Sequence, residues 1–173
     1  MQDIQFIPYA SAPHKGALRK LYRTAFPKAE RAPLFHLIRL AKKGECAFSG
    51  CYSEGAFVGL TVAIERSDLV YLFFLAVSPD ARSQGFGGRI LERVKEEYKG
   101  RPVVLDMEER DPSASNAEQR ERRYRFYEKH GFTPAGYTYT YNQVTYEVLV
   151  WGGEVTKERY YDFLKERIPR FYN

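Results

Sequence analysis

The chain has 173 residues, of which 44% are hydrophobic and 28% are charged, and its net charge is +5. This length suits one domain with a substantial core, and the composition is globular rather than disordered. The longest apolar run, Leu69 to Val77, is too short for a membrane helix of about 20 residues. The N-terminal residues show no signal-peptide pattern, so we expect a cytoplasmic protein. The modest positive charge is compatible with a phosphorylated ligand or an acidic partner.

In the first half of the chain, an edge strand is expected within residues 3–9. Apolar residues at three- and four-residue steps then predict two helices, one ending before Pro27 and the next at Gly44. Two strands follow, joined by a hairpin turn at residues 53–55. The run from Leu69 to Val77 is apolar on both faces, which predicts a central strand.

In the second half, an amphipathic helix closes at Gly100 and a strand follows over residues 102–109. Ser115 and Glu118 form a capping-box pattern that predicts a helix running to about residue 130. Two alternating strands flank residues 142–143, and a last helix over 157–168 is expected to end at Pro169. This order predicts one mixed α/β sheet with helices packed on its faces.

The two cysteines, Cys46 and Cys51, lie an odd number of positions apart in a predicted strand. Their side chains should leave opposite faces, so we expect no disulfide between them. The three histidines are scattered, and no cysteine and histidine cluster has metal-ligand spacing. No metal site is therefore expected.

A glycine-rich loop separates the central strand from the next helix. Gly85, Gly87 and Gly88 would free the backbone for positive φ and for close approach to a ligand. The N–H groups that open a helix attract anions, so the loop favours phosphate or pyrophosphate, with Arg82 and Arg89 at its rim. Glycine-rich surface turns are also common, and neither G-x-x-x-x-G-K-[ST] nor G-x-G-x-x-G is present.

Two motifs resemble one family. The segment from Arg82 to Gly87, RSQGFG, resembles the coenzyme A loop [R/Q]-x-x-G-x-[G/A] of the GCN5-related N-acetyltransferases (GNAT). Downstream, RFYEKHGFTPAG at residues 125–136 resembles the second signature of that family. The resemblance implies a mostly antiparallel sheet of about seven strands, in an α/β (α+β) fold with an extra C-terminal helix. It also implies a single acyl-CoA N-acyltransferase domain over 1–173, with a core of about 3–151 and an extension of about 155–173.

The resemblance also implies where the coenzyme binds. In the family the central strand splays from the next strand, here Leu72–Val77 from Val103–Glu108, and the pantetheine arm inserts between them. The expected backbone partners of this arm are Leu75, Ala76 and Val77. The expected pyrophosphate contacts are the amides of Arg82, Ser83, Gln84, Gly85, Phe86, Gly87 and Gly88.

Catalytic residues follow from the same resemblance. Tyr127 matches the family tyrosine that often protonates the departing thiolate, although a packing role is the alternative. A family asparagine that helps to hold the coenzyme is replaced by Arg120, and Asn116, one turn earlier, either substitutes for it or is simply exposed. For the general base, Glu108 ranks ahead of Asp106 and Glu65, because it ends the strand beside the expected splay.

The sequence therefore predicts transfer of an acetyl group from acetyl-CoA to a primary amine, by direct attack and without metal. The alternative is a non-catalytic acyl-CoA-binding module. Nucleic-acid binding through residues 119–125 is not favoured, since glutamates interrupt the basic run. The acceptor, a small-molecule or peptide amine, would be chosen by residues 13–43 and 137–151. The C-terminal helix would cover a sheet edge or mediate a homodimer.

Overall fold

A seven-stranded sheet forms the centre of the fold in the computed structural model, which describes residues 3–172. The strands are β1 (Gln5–Pro8), β2 (Ala47–Ser53), β3 (Ala56–Glu65), β4 (Val70–Val77), β5 (Val103–Glu108), β6 (Thr133–Tyr141) and β7 (Val144–Trp151). The helices are α1 (Lys15–Ala25), α2 (Leu34–Lys42), α3 (Phe86–Glu97), α4 (Ala117–Lys129) and α5 (Lys157–Tyr172). The strand order is β1-β2-β3-β4-β5-β7-β6, and only the β4–β5 pair is parallel. The predicted fold class is thus confirmed. The outermost predicted bounds, residues 1 and 173, lie outside the described residues.

The helices divide between the two faces of the sheet. Leu18 of α1, Leu37 of α2 and Phe163 of α5 share one buried cluster. Leu91 of α3 and Tyr124 of α4 belong to a cluster on the other face. The division follows the alternation of side chains along each strand, which sends successive residues of β5 to opposite faces. Within the described part of the chain, no helix is long and apolar enough to cross a membrane.

The sheet opens between its two parallel strands. β4 and β5 pair only at Val70 with Val103 and at Tyr71 with Val104. Beyond this point β4 continues along β3 and β5 continues along β7. The gap lies between residues 72–77 and 105–108, within the two segments where the family resemblance predicts the splay.

The N-terminus of α4 differs from the prediction. Asn116 is the N-cap, no side-chain capping bond forms there, and the first helical residue is Ala117. The capping box of Ser115 and Glu118 is therefore wrong. Asn116 instead directs its side-chain amide to β5, and Glu118 is exposed beside Arg122. A tertiary contact has replaced the local cap.

The C-terminal helix also differs, because α5 continues past Pro169 to Tyr172. A proline inside a helix removes one backbone hydrogen bond. The helix is anchored on the sheet by Tyr160 and Phe163, both 0% exposed, so packing outweighs that local loss. Its Tyr161 hydroxyl donates to the Thr138 carbonyl of the edge strand β6 at 2.7 Å. α5 thus packs on the face and reaches the edge, while a homodimer stays a prediction.

Candidate functional site

A cleft of about 260 Å³ occupies the gap between β4 and β5. Its walls are residues 71–77 of β4 and 105–108 of β5, and it extends to the α1–α2 loop, α4, the β6–β7 pair and α5. Three carboxylates line it, Glu30, Asp106 and Glu108, together with the phenols of Tyr127, Tyr139, Tyr141 and Tyr146. Carboxylates and a half-buried phenol beside exposed strand backbone form a site suited to proton transfer.

The glycine loop follows β4, and its Arg82 lines the cleft, whereas Gly85 and Gly88 line a second groove beside β1. Gly85 has φ +79° and is the N-cap of α3, so the chain turns there in a conformation that favours glycine. Ser83 also has a positive φ, +62°. The Gln84 side chain braces the loop by donating to the Asp80 carbonyl at 2.9 Å. The first amides of α3 have no intrahelical partner, and Arg82 lines the cleft beside them, which favours an anion.

The three glycines of the loop have different roles, which corrects the prediction that all three free the backbone. Only Gly85 has a positive φ. A Cβ on Gly88 would lie 2.6 Å from the His130 ring, and one on Gly87 would lie 3.4 Å from the Phe126 ring. Gly88 therefore lets α3 pack closely against the end of α4, whereas a Cβ on Gly87 would meet Phe126 at an ordinary contact distance.

Backbone alternation decides which β4 groups face the gap. The Ser78 N–H donates to the Val58 carbonyl of β3 at 2.9 Å. Because both backbone groups of a residue in an antiparallel pair point to the same side, Ala76 also faces β3. Leu75 and Val77 then direct their N–H and C=O groups into the gap. Of the three predicted backbone partners, Leu75 and Val77 therefore face the gap, and Ala76 faces β3.

Tyr127 lies on the α4 side of the cleft and is half-buried. Its ring packs against Phe126 and Phe132, with centroid distances of 5.2 and 5.7 Å. Burial raises the pKa of its hydroxyl above the usual value, and Arg123 only partly offsets this. The phenol is therefore protonated at neutral pH, as a general acid must be.

Glu108 is held by two residues that precede or begin α4. Its Oε2 accepts from the Asn116 amide at 2.9 Å, and its Oε1 lies 3.3 Å from the Arg120 guanidinium. Arg120 Nε also donates to Asn116 Oδ1 at 2.7 Å. Asn116 and Arg120 thus order the end of β5. Asn116, predicted as a coenzyme contact, and Glu108, predicted as the base, therefore belong to one hydrogen-bonded network.

Asp106 is the centre of a buried polar cluster. Its Oδ2 accepts from the hydroxyls of Tyr71 at 2.7 Å, Tyr139 at 3.0 Å and Tyr160. The Arg167 guanidinium, 3% exposed, lies 3.7 Å from the same oxygen. Burial would lower the pKa of Arg167, but the surrounding tyrosines and Asp106 raise it well above its usual value. The cluster ties α5 to the floor of the cleft.

The remaining predicted base, Glu65, lies away from the cleft. It pairs with Val70, where β4 begins, and its carboxylate binds the Arg101 guanidinium at 2.8 Å. That position is at the end of β4 opposite to the splay, which removes Glu65 from the candidates.

Glu30 is a cleft residue that sequence reasoning missed. It lies in the loop between α1 and α2, half-buried, and faces the cleft. Burial raises the pKa of its carboxyl, and the nearby Glu108 raises it further. Neither motif includes this loop, so no local signal identified it.

Two arginines of the basic run on α4 are paired within the helix. The Arg122 guanidinium lies 4.0 Å from the Glu118 carboxylate, and Arg125 lies 3.0 Å from Glu121. These are i,i+4 pairs on exposed side chains, typical of a solvated helix face. That nucleic acid does not bind this run stays a prediction.

Cys46 and Cys51 are both buried free thiols. Burial raises the pKa of the Cys46 thiol to about 12, and it raises that of Cys51 as well. A thiol with so high a pKa is a poor nucleophile at neutral pH. Neither cysteine is among the residues that line the cleft.

Comparisons with known proteins agree with this geometry. Residues 44–134 match the acetyltransferase (GNAT) domain model. YjbC of Bacillus subtilis strain 168, which is named as an acetyltransferase, is 32% identical over 101 residues, or 54% of this chain and 50% of YjbC. The chain thus spans about half the length of this curated relative.

Two solved structures have the same fold. One, from Bacteroides thetaiotaomicron and described as a GNAT-family acetyltransferase, is 25% identical, with 95% of this chain and 94% of that chain covered and a TM-score of 0.75. The other is an aminoglycoside 6'-N-acetyltransferase in complex with coenzyme A, 18% identical, with 86% and 95% covered and a TM-score of 0.67.

Proposed function

Because this chain belongs to the GNAT acetyltransferase family, we propose that it transfers an acetyl group from acetyl-CoA to a primary amine. The amine attacks the thioester directly while both substrates are bound. The observation that carries the proposal is the gap between β4 and β5, which is lined by Arg82 of the glycine loop and by Tyr127. We propose that the whole described chain forms one acyl-CoA N-acyltransferase domain. The cytoplasmic location stays a prediction.

The coenzyme would occupy the gap and the loop together. Its pyrophosphate would accept hydrogen bonds from amides of residues 82–88, and its pantetheine arm would bond to the backbone of Leu75 and Val77. This geometry would place the thioester between the sheet and Tyr127. Binding both substrates in one cleft supplies the positioning on which such a reaction depends.

The acceptor would enter from the opposite face of the sheet. Glu30 lies in the loop between α1 and α2 on that face, and the alternation along β5 directs Glu108 to the same face as Val104. Tyr127 belongs to α4 and packs against the cluster on the other face. Attack by the amine forms the C–N bond and breaks the C–S bond. Tyr127 gives its proton to the thiolate, and a carboxylate on the acceptor side accepts the proton released by the ammonium group. Glu108, the base predicted from sequence, is one candidate for that carboxylate.

The proposal is tested by measuring coenzyme A release from acetyl-CoA with a panel of amines that includes polyamines, aminoglycosides and peptide N-termini. We expect amine-dependent release with at least one acceptor and calorimetric binding of acetyl-CoA. Binding without turnover on the whole panel would indicate the alternative, a non-catalytic acyl-CoA-binding module. A protein that does not bind acetyl-CoA would contradict both functions.

Arg82→Ala is expected to weaken coenzyme A binding by about tenfold, since it removes one charge beside the pyrophosphate. Calorimetry at two salt concentrations should also give a weaker salt dependence than in the parent chain. Arg122→Ala is the matched control, because Arg122 is an exposed arginine of α4 whose side chain is 77% exposed. If both variants bind coenzyme A with equal affinity, the coenzyme phosphates do not bind beside Arg82.

A further inference from the structure

The loop that carries Glu30 is fixed against the sheet. The Glu30 N–H donates to the Pro27 carbonyl at 3.0 Å. The buried Tyr22 hydroxyl donates to the Ala32 carbonyl at 2.9 Å, and the Phe26 ring lies 4.7 Å from that of Phe74 in β4. These contacts hold both ends of the loop, so the carboxylate has a defined place on the acceptor side of the cleft.

The groups that face Glu30 come from three elements. Burial is the largest cause of the raised pKa of its carboxyl, and Glu108 and Asp106 of β5 raise this pKa further. Arg123 and Arg120 of α4 lower it. Tyr146 of β7 also lies near Glu30. Burial raises the pKa of the Tyr146 phenol most, the negative charge of Glu30 is the second cause, and the pKa reaches about 12. Glu30 is therefore in electrostatic contact with both walls of the cleft.

The other two carboxylates of the cleft have structural roles. Glu108 is bound by Asn116 and Arg120, and Asp106 accepts three phenol hydrogen bonds. Protonating either carboxylate would weaken the bonds that order β5 and α5. Glu30, on the α1–α2 loop, is the remaining carboxylate that lines the cleft.

The aromatic side chains beside this carboxylate suit a cation. Tyr139 and Tyr146 stack with their centroids 5.1 Å apart, and Tyr141 lines the cleft with them. Phenol rings next to a carboxylate attract an ammonium group through the ring quadrupole and through charge. The acceptor amine would therefore arrive protonated and would need a base before it could attack.

We propose that Glu30 binds the ammonium group of the acceptor and takes its proton, an assignment that rests on the proposed acetyl transfer. The carboxylate of Glu30 removes one proton to give the neutral amine, which then attacks the thioester carbonyl. As the tetrahedral intermediate collapses, Tyr127 gives its proton to the departing sulfur. The nitrogen then loses a second proton, which returns Tyr127 to its protonated form. Glu30 returns its proton to solvent, so each turnover yields the amide, coenzyme A and one proton.

The test is the pH dependence of kcat/KM for the best acceptor in the panel, measured for Glu30→Gln, Glu108→Gln and Glu154→Gln. Glu154 is an exposed control residue just beyond the end of β7, next to the start of β5 and far from the gap. In the parent chain, kcat/KM should rise with pH through the raised pKa of Glu30, because the ionised form is the active one. Glu30→Gln should abolish this acid limb and lower kcat/KM at pH 7 by about 100-fold. Acetyl-CoA affinity by calorimetry should change less than twofold.

Each outcome decides between specific assignments. If Glu30→Gln keeps both the acid limb and a kcat/KM within threefold of the parent, Glu30 is not the base. If only Glu108→Gln removes the limb, that role belongs to Glu108. If the parent chain acetylates no amine, the proposed function fails, and the assignment of Glu30 fails with it. Loss of the acid limb in Glu30→Gln alone supports the proposal.

Discussion

Tyr127→Phe is expected to lower kcat by about 100-fold or more and to leave the affinity for coenzyme A within threefold. The substitution removes the only proton that the side chain can give to the thiolate, and general-acid catalysis contributes about 10²- to 10⁴-fold. The ring would keep its contacts with Phe126 and Phe132, so the fold and the cleft should persist. The measurement is steady-state coenzyme A release at saturating acetyl-CoA, paired with calorimetry on the same preparation.

Tyr124→Phe is the matched control for this experiment. Tyr124 lies one turn earlier on α4, is buried, and donates its hydroxyl to Glu128 at 3.4 Å rather than facing the cleft. Its loss should change kcat by less than about threefold. A Tyr127→Phe variant as active as Tyr124→Phe would remove Tyr127 as the acid and leave it a packing residue.

Asp106→Ala is expected to lower the free energy of unfolding by about 3–5 kcal/mol, the usual loss when one partner of a buried ion pair is removed. The variant leaves the Arg167 guanidinium buried, with three phenol groups that have lost a shared acceptor. Urea denaturation followed by circular dichroism measures the change.

Glu121→Ala is the surface control for Asp106→Ala. Glu121 pairs with Arg125, and the two side chains are 43% and 73% exposed. Removing it should change stability by less than about 1 kcal/mol, as for other surface pairs. The combined Asp106→Leu and Arg167→Met variant should recover part of the lost stability, because it leaves no unpaired buried charge. A loss below about 1 kcal/mol in Asp106→Ala would contradict a stabilising role for the cluster.

Much of the fold follows from local patterns that the sequence carries. The run from Leu69 to Val77 is apolar on both faces because β4 is covered by helices on both sides, and this pattern identified it as central. The splay was expected from the family resemblance and lies at the predicted place. Two predicted helix boundaries are wrong. At the start of α4, the contact of Asn116 with β5 replaces the capping box of Ser115. At Pro169, the packing of α5 on the sheet outweighs the local effect of the proline.

The two halves of the site differ in how well they could be predicted. The coenzyme loop is continuous in the chain, so a short motif identifies it. The acceptor side is assembled from distant segments, as in the contact between Tyr71 and Arg167, 96 positions apart. Glu30 and Arg167 also lie outside residues 44–134, which match the family model. Side chains that meet only through the folded sheet leave no periodic or motif signal.

The most direct test of acetyl transfer in this cleft is a crystal structure of the chain with acetyl-CoA. We predict the pantetheine arm between β4 and β5, bonded to the backbone of Leu75 and Val77, with the pyrophosphate on the amides of residues 82–88. The thioester sulfur should lie about 3–4 Å from the Tyr127 hydroxyl, within reach of a proton. A coenzyme bound outside the gap, or a thioester turned away from Tyr127, would contradict the proposed reaction.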